Sequence, residues 1–141
     1  MVETLIDAAQ QDQPGGTHAS MRVVINELWQ WHSGEFCPVE TWQPAINVYQ
    51  LEDRLEICMD LAGIDPRNIE LHVERERLMI RGVRAAPDPR RSPQPMRIIS
   101  MEINHGPFCR IIDLPAPVDG GRVSTNYHNG LLMIRIPLAA H

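Results

Sequence analysis

From Trp42 onward, apolar residues alternate with other residues in short runs, and a period of two predicts strands. Pro44 to Tyr49 reads as one, with its turn at Glu52-Asp53. Leu55, Ile57, Met59 and Leu61 then alternate with Glu56, Cys58 and Asp60, giving a buried face and a wet one. Ile69, Leu71 and Val73 repeat the pattern against Glu70, His72 and Glu74. Leu78 and Ile80 make a short strand that stops at Gly82, and Arg97 to Ile103 reads as another. The run from His105 to Pro137 predicts three more, on Phe108, Arg110, Ile112 and Leu114, on Val123, Thr125 and Tyr127, and on Leu132, Ile134 and Ile136. Leu114-Pro115-Ala116-Pro117 with Asp119-Gly120-Gly121 cannot continue a ladder, and Asn129-Gly130 is the strongest short hairpin signal in the chain. Short strands at such spacing, with polar turns and no helical period between them, predict an all-β, immunoglobulin-like antiparallel β-sandwich.

The first 40 residues have a different character. Val2, Leu5, Ile6 and Ala9 fall at helical spacing, and residues 11–16 then break the chain as a linker would. A second helix is expected from Ser20 as N-cap to Gly34, with Met21, Val24, Ile25, Leu28 and Trp29 on one face and Trp31 beyond. A face that wide needs a partner, whether its own sandwich, another subunit or another protein. The expected layout is a partly helical or disordered arm over 1–40, a sandwich over 41–138 and a short tail over 139–141.

Composition removes several functions. The 43% of hydrophobic residues is enough for a core, and the net charge is −5. All 13 basic residues are arginine, scattered from Arg22 to Arg135, so no nucleic-acid surface is expected. Without lysine there is no Walker-type phosphate contact and no Schiff base. Cys37, Cys58 and Cys109 are odd in number and widely spaced, which suggests reduced thiols and neither a disulfide framework nor a zinc site. The start of the chain lacks an apolar signal core and no run is long enough to span a bilayer, so the expected address is the cytoplasm, with no membrane partner.

Candidate chemistry is sparse. Asp119, Ser124 and His128 are the residue types of a hydrolase triad, but Ser124 and His128 lie about 13 Å apart along one strand face, and no nucleophile elbow is present. His72, His105 and His128 lack metal-ligand spacing. Asp60, Glu70 and Glu74 read as a charged, solvated face. No catalytic residue, metal or cofactor is expected.

The order of short motifs resembles the α-crystallin domain of small heat shock proteins. The matching pieces are Asp60-Leu61-Ala62-Gly63-Ile64, Leu78-Met79-Ile80-Arg81-Gly82, Gly106-Pro107-Phe108-Cys109-Arg110, Leu114-Pro115 with Val118-Asp119, and Asn129-Gly130-Leu131-Leu132. They span about residues 42 to 138. Alanine replaces a proline at Ala62, and the terminal Pro-Lys of the family is Pro137-Leu138 here. The resemblance implies an ATP-independent chaperone that binds unfolding client proteins and keeps them soluble. It implies a homodimer that can build larger homo-oligomers.

It also implies a groove between two edge strands, lined here by Ile69, Leu71 and Val73 and by Val123, Thr125 and Tyr127, positions that equally suit core residues. Val24, Ile25, Leu28, Trp29 and Trp31 would make client or assembly contacts. The proline-rich loop at 86–97, with Pro87, Arg90, Arg91, Pro93, Pro95 and Met96, is either a surface loop or an edge strand exchanged between subunits. The chain ends four residues after Pro137, so assembly is expected through the arm and not through C-terminal tails. The rival reading is an adaptor of the related p23-like sandwich class that binds a folded partner.

Overall fold

The computed structural model describes residues 2–8, 19–25, 37, 40–87 and 94–140. Those residues form β1 (Val2–Ala8), β2 (Ala19–Ile25), β3 (Ile46–Gln50), β4 (Arg54–Asp60), β5 (Ile69–Val73), β6 (Arg77–Arg84), β7 (Gly106–Asp113), β8 (Ser124–His128) and β9 (Leu131–Pro137). They make two sheets, ordered β1-β2-β5-β6-β7 and β3-β4-β9-β8. The pairing is antiparallel throughout except between β2 and β5, which run parallel. The all-β sandwich expected from the alternation is therefore present.

The alternating positions do what their period requires. Leu55, Ile57 and Met59 of β4 and Leu132, Ile134 and Ile136 of β9 face Ile69, Leu71 and Val73 of β5 and Leu78 and Ile80 of β6 in one continuous core. Asn129 and Gly130 both take positive φ, 51° and 80°, in the tight turn joining β8 to β9. Gly82 does not end its strand as expected; β6 continues through it to Arg84. The Phe108 ring lies over Gly82, so a Cβ there would come within 2.6 Å of Phe108 Cζ and would also strike the Asn68 carbonyl oxygen. Glycine is the residue that lets β6 and β7 carry the large ring between them.

Three further expectations fail. The arm is not helical where it is described: Val2–Ala8 and Ala19–Ile25 are strands paired as a hairpin, from Val2↔Ile25 to Ala8↔Ala19. The β-branched run Val23-Val24-Ile25 suits the edge of a sheet, and there it finds an apolar surface to cover. Residues 97–103 form no strand; Ile98, Ile99, Met101 and Ile103 lie exposed, Ile99 at 81%. The cysteines are not all free: Cys37 and Cys109 form a disulfide across a sequence separation of 72. Cys58 is the free thiol among the described residues.

That cross-link fixes the segment before β3 against the outer edge of β7. Met79 and Cys109 are buried on the outer face of the sheet, packed with Cys37 and Ile111. Trp42 continues the contact. Its backbone N–H donates to Pro107 O (3.2 Å), its carbonyl accepts from Cys109 N (3.1 Å), and its indole Nε1 donates to Gly106 O (3.1 Å). The Trp42 ring packs against Phe108 and under the Arg84 guanidinium, which sits 4.2 Å from the ring centroid. Cys37→Ser should lower the unfolding free energy by about 2–4 kcal/mol, because the bridge closes a long loop in the unfolded chain. Urea unfolding measures this, and a dithiol reductant should produce a similar loss in the native protein and none in the variant.

Candidate functional site

β5 is the strand on which the site is built. Its alternation sends Ile69, Leu71 and Val73 inward, while Glu70 and His72 point to the outer face. Across the sandwich, β8 contributes Thr125 and Tyr127, with Val123 just before it. All six of these sequence-predicted groove residues are buried, and all but Thr125 belong to the main core. Tyr127 is fixed by two hydrogen bonds: its hydroxyl donates to Leu61 O (2.8 Å) and accepts from Ile64 N (3.4 Å). Burial pushes its phenol above the usual tyrosine range.

The groove is full. β2 lies along β5 in the register Arg22↔Glu70, Val23↔Leu71, Val24↔His72, Ile25↔Val73. Met21 and Val23 have no exposed surface and belong to the main core, with Ile25 packed against it. Each fully buried aliphatic side chain of this kind contributes roughly 1.5–3 kcal/mol. A short stretch of β2 therefore supplies much of what seals this edge. Gly120 completes the fit: a Cβ there would lie 3.1 Å from Ile25 Cγ2 and 3.1 Å from Val73 Cγ1. Alternation at Met21, Val23 and Ile25 was the sequence signal for this strand, hidden by the apolar Val24 between them.

The outer rim is polar and closely paired. Glu70 accepts from Arg81 Nε (2.8 Å), lies 2.9 Å from His72 Nε2, and is 3.5 Å from Arg22 Nη1 of β2. Burial alone would raise the Glu70 carboxyl, but the hydrogen bonds from Arg81 and His72 outweigh it and hold the group below the usual range. His72, expected at the surface, is 3% exposed beneath the β2 register, and burial lowers its pKa against the opposing pull of Glu70. Glu74, also expected in solvent, is buried in the β5–β6 turn beside Arg77.

Other sequence-predicted residues lie apart from this site. Val24 is buried on the outer face of β2, at the register position of His72. Leu28, Trp29 and Trp31 lie outside the described residues, as do Arg90, Arg91 and Pro93. Pro87, Pro95 and Met96 are exposed. The open edge of the second sheet, β3, carries exposed Val48 and Tyr49, which the alternation alone did not single out. Among the described residues no three His, Cys, Asp or Glu side chains gather as a metal site requires, and no helix is long and apolar enough to cross a membrane.

Two antiparallel-rich sheets packed over one core, with β2 laid along β5, define an all-β sandwich domain. The chain belongs to the Hsp20/alpha crystallin family, whose model matches residues 47–141. Heat shock protein 16 of Schizosaccharomyces pombe is 29% identical over 94 residues, covering 67% of this chain and 65% of that protein. The chain thus spans just under two thirds of that relative's length. Among solved structures, the hspA protein of Xanthomonas axonopodis is 30% identical with a TM-score of 0.60, covering 70% of this chain and 95% of that one. A small heat-shock protein of Xylella fastidiosa, described as having a distinct high order structure, is 29% identical with a TM-score of 0.59, over 72% of this chain and 90% of that one. Membership supports a chaperone role.

His72 sets a pH dependence. Its folded pKa lies below the unfolded value of about 6.5, so the unfolded chain takes up the proton first on acidification. Its contribution to stability is complete above about pH 6.5 and falls as the pH drops below that. Glu70 of its own strand, Arg81 of β6 and Arg22 of β2 all act on it. His72→Gln should flatten the decline in unfolding free energy between about pH 6.5 and pH 5, measured by urea unfolding at stepped pH.

Proposed function

We propose that this chain is an ATP-independent holdase that binds partly unfolded proteins and keeps them soluble. The observation that carries the reading is the β5 edge, which accepts an extended segment and buries its Met21, Val23 and Val24 side chains. An unfolding protein exposes segments of that kind. Burying ~300 Å² of apolar surface at ~25 cal/mol per Å² gives roughly 7 kcal/mol before the cost of ordering both partners. Binding of that strength is weak and reversible, and it becomes effective when several sites act together in an assembly. Neither nucleotide nor metal is needed for such a cycle.

The partners in this reading are client proteins and further copies of the chain. Ile98, Ile99, Met101 and Ile103 form an exposed apolar run beside the loop at 86–97, and β3 offers an open strand edge with exposed Val48 and Tyr49. Pairing this run with the β3 edge of a second copy would cover both and make a dimer.

Two outcomes are expected. The protein should suppress aggregation of an unrelated heated protein at near-stoichiometric ratio without ATP, followed by light scattering; a p23-like adaptor would give no protection. Ile98→Asp combined with Ile99→Asp should halve the mass of the dimer in solution with little change in thermal stability, because both side chains are exposed within one copy. An unchanged mass would rule out this surface as the dimer contact.

A further inference from the structure

The segment that carries the exposed apolar run leaves the sandwich through one narrow neck. β6 ends at Arg84, β7 begins at Gly106, and these two residues are the last pair of their ladder. Residues 85–105 therefore start and finish side by side. Ile98, Ile99, Met101 and Ile103 lie on the returning limb, with Ile103 next to Asn104 at the neck. Gly106 takes a φ of 86°, which turns the chain from that limb into β7.

One side chain clasps the neck. Arg84 Nε donates to Asn104 O (2.7 Å) and Nη2 donates to the same oxygen, while Nη1 reaches across to Ala62 O (3.1 Å) in the turn after β4. The guanidinium lies 4.2 Å from the Trp42 ring centroid, and the indole Nε1 of Trp42 donates in turn to Gly106 O (3.1 Å). Three stretches far apart in sequence thus meet on one planar cation. Among the described residues its partners are two backbone carbonyls and a ring face, so ion pairing does not account for it. A flat fork with donors on both edges can span two carbonyls and stack on a ring at once, which a lysine ammonium cannot do.

We propose that Arg84 is a positioning residue for subunit pairing: by holding Asn104 to the sandwich it fixes the direction in which residues 98–103 leave, and so presents their apolar side chains to a second copy. Trp42 is the platform of the clasp. The inference rests on the reading of that run as the dimer contact, and it adds the residue that sets its geometry. A run whose base is already fixed in the free subunit loses less freedom on pairing, and association is stronger by that difference.

The test is sedimentation equilibrium of the full-length protein and its variants. Arg84→Gln should raise the dimer dissociation constant at least about tenfold, while amides of β4 and β9 keep their native hydrogen-exchange rates and so show an intact sandwich. The Trp42 amide, bonded to Pro107 O, should exchange at least about tenfold faster in that variant, which reports the loss of the clasp itself. Arg84→Lys keeps the charge and should weaken the dimer nearly as much; full rescue by lysine would show that charge alone matters and overturn the clasp. Trp42→Phe keeps a ring but drops the bond to Gly106, and should raise the constant about threefold. An unchanged constant in Arg84→Gln would overturn the proposal. The Ile98→Asp, Ile99→Asp pair separates the two readings. If that pair splits the dimer and Arg84→Gln does not weaken it, the positioning role fails alone. If that pair leaves the dimer intact, the reading of the run as the dimer contact fails first.

Discussion

The constraint on which the rest of this molecule depends is the edge of β5. A strand whose inner side is Ile69, Leu71 and Val73 cannot end a sheet in water, because both its apolar side chains and its backbone ladder would be exposed there. Something must lie along it, and in this chain it is β2. The consequences spread from that contact. Met21 and Val23 join the core, His72 is buried on the opposite face, and Glu70 gathers Arg81, His72 and Arg22 around one carboxylate. The electrostatics of the rim are thus set by how the apolar side is closed.

The sandwich was readable where its strands keep one wet face, as β4, β8 and β9 do. Where Glu56, Cys58 and Asp60 alternate with Leu55, Ile57 and Met59, a period of two is unmistakable, and Asn129-Gly130 marks the joint between the last two strands. β2 obscured itself by the opposite property. Met21, Val23 and Val24 are all buried, so both sides of the strand read as apolar and the same letters also satisfy helical spacing. The β-branched run Val23-Val24-Ile25 was the clue that could have decided between the two. The residues expected to line a groove are buried, and the segment that covers β5 lies 48 residues earlier in the chain by its register, a relation that no local pattern records. The disulfide was illegible for the same reason: only the folded positions of Cys37 and Cys109 bring the two thiols together.

The cross-link and the hairpin anchor the arm at opposite edges of one sheet, and they do so almost independently. Tethering the chain at Cys37 in place of Trp42 shortens the linker after Ile25 from 16 residues to 11. In chain-closure terms this changes the cost of docking β2 by only ~0.3 kcal/mol. The disulfide therefore secures the linker against β7 and the covered patch at Met79, while the hairpin is held by its own buried side chains.

Covering one edge creates another. With β2 along β5, the end of the five-stranded sheet passes to β1, which lies near β8 but does not pair with it. The next free row of amide and carbonyl groups belongs to a seven-residue strand whose sequence includes Glu3 and Asp7. The position at which a further strand could add to this sheet is thereby moved outward by two strands, from β5 to β1.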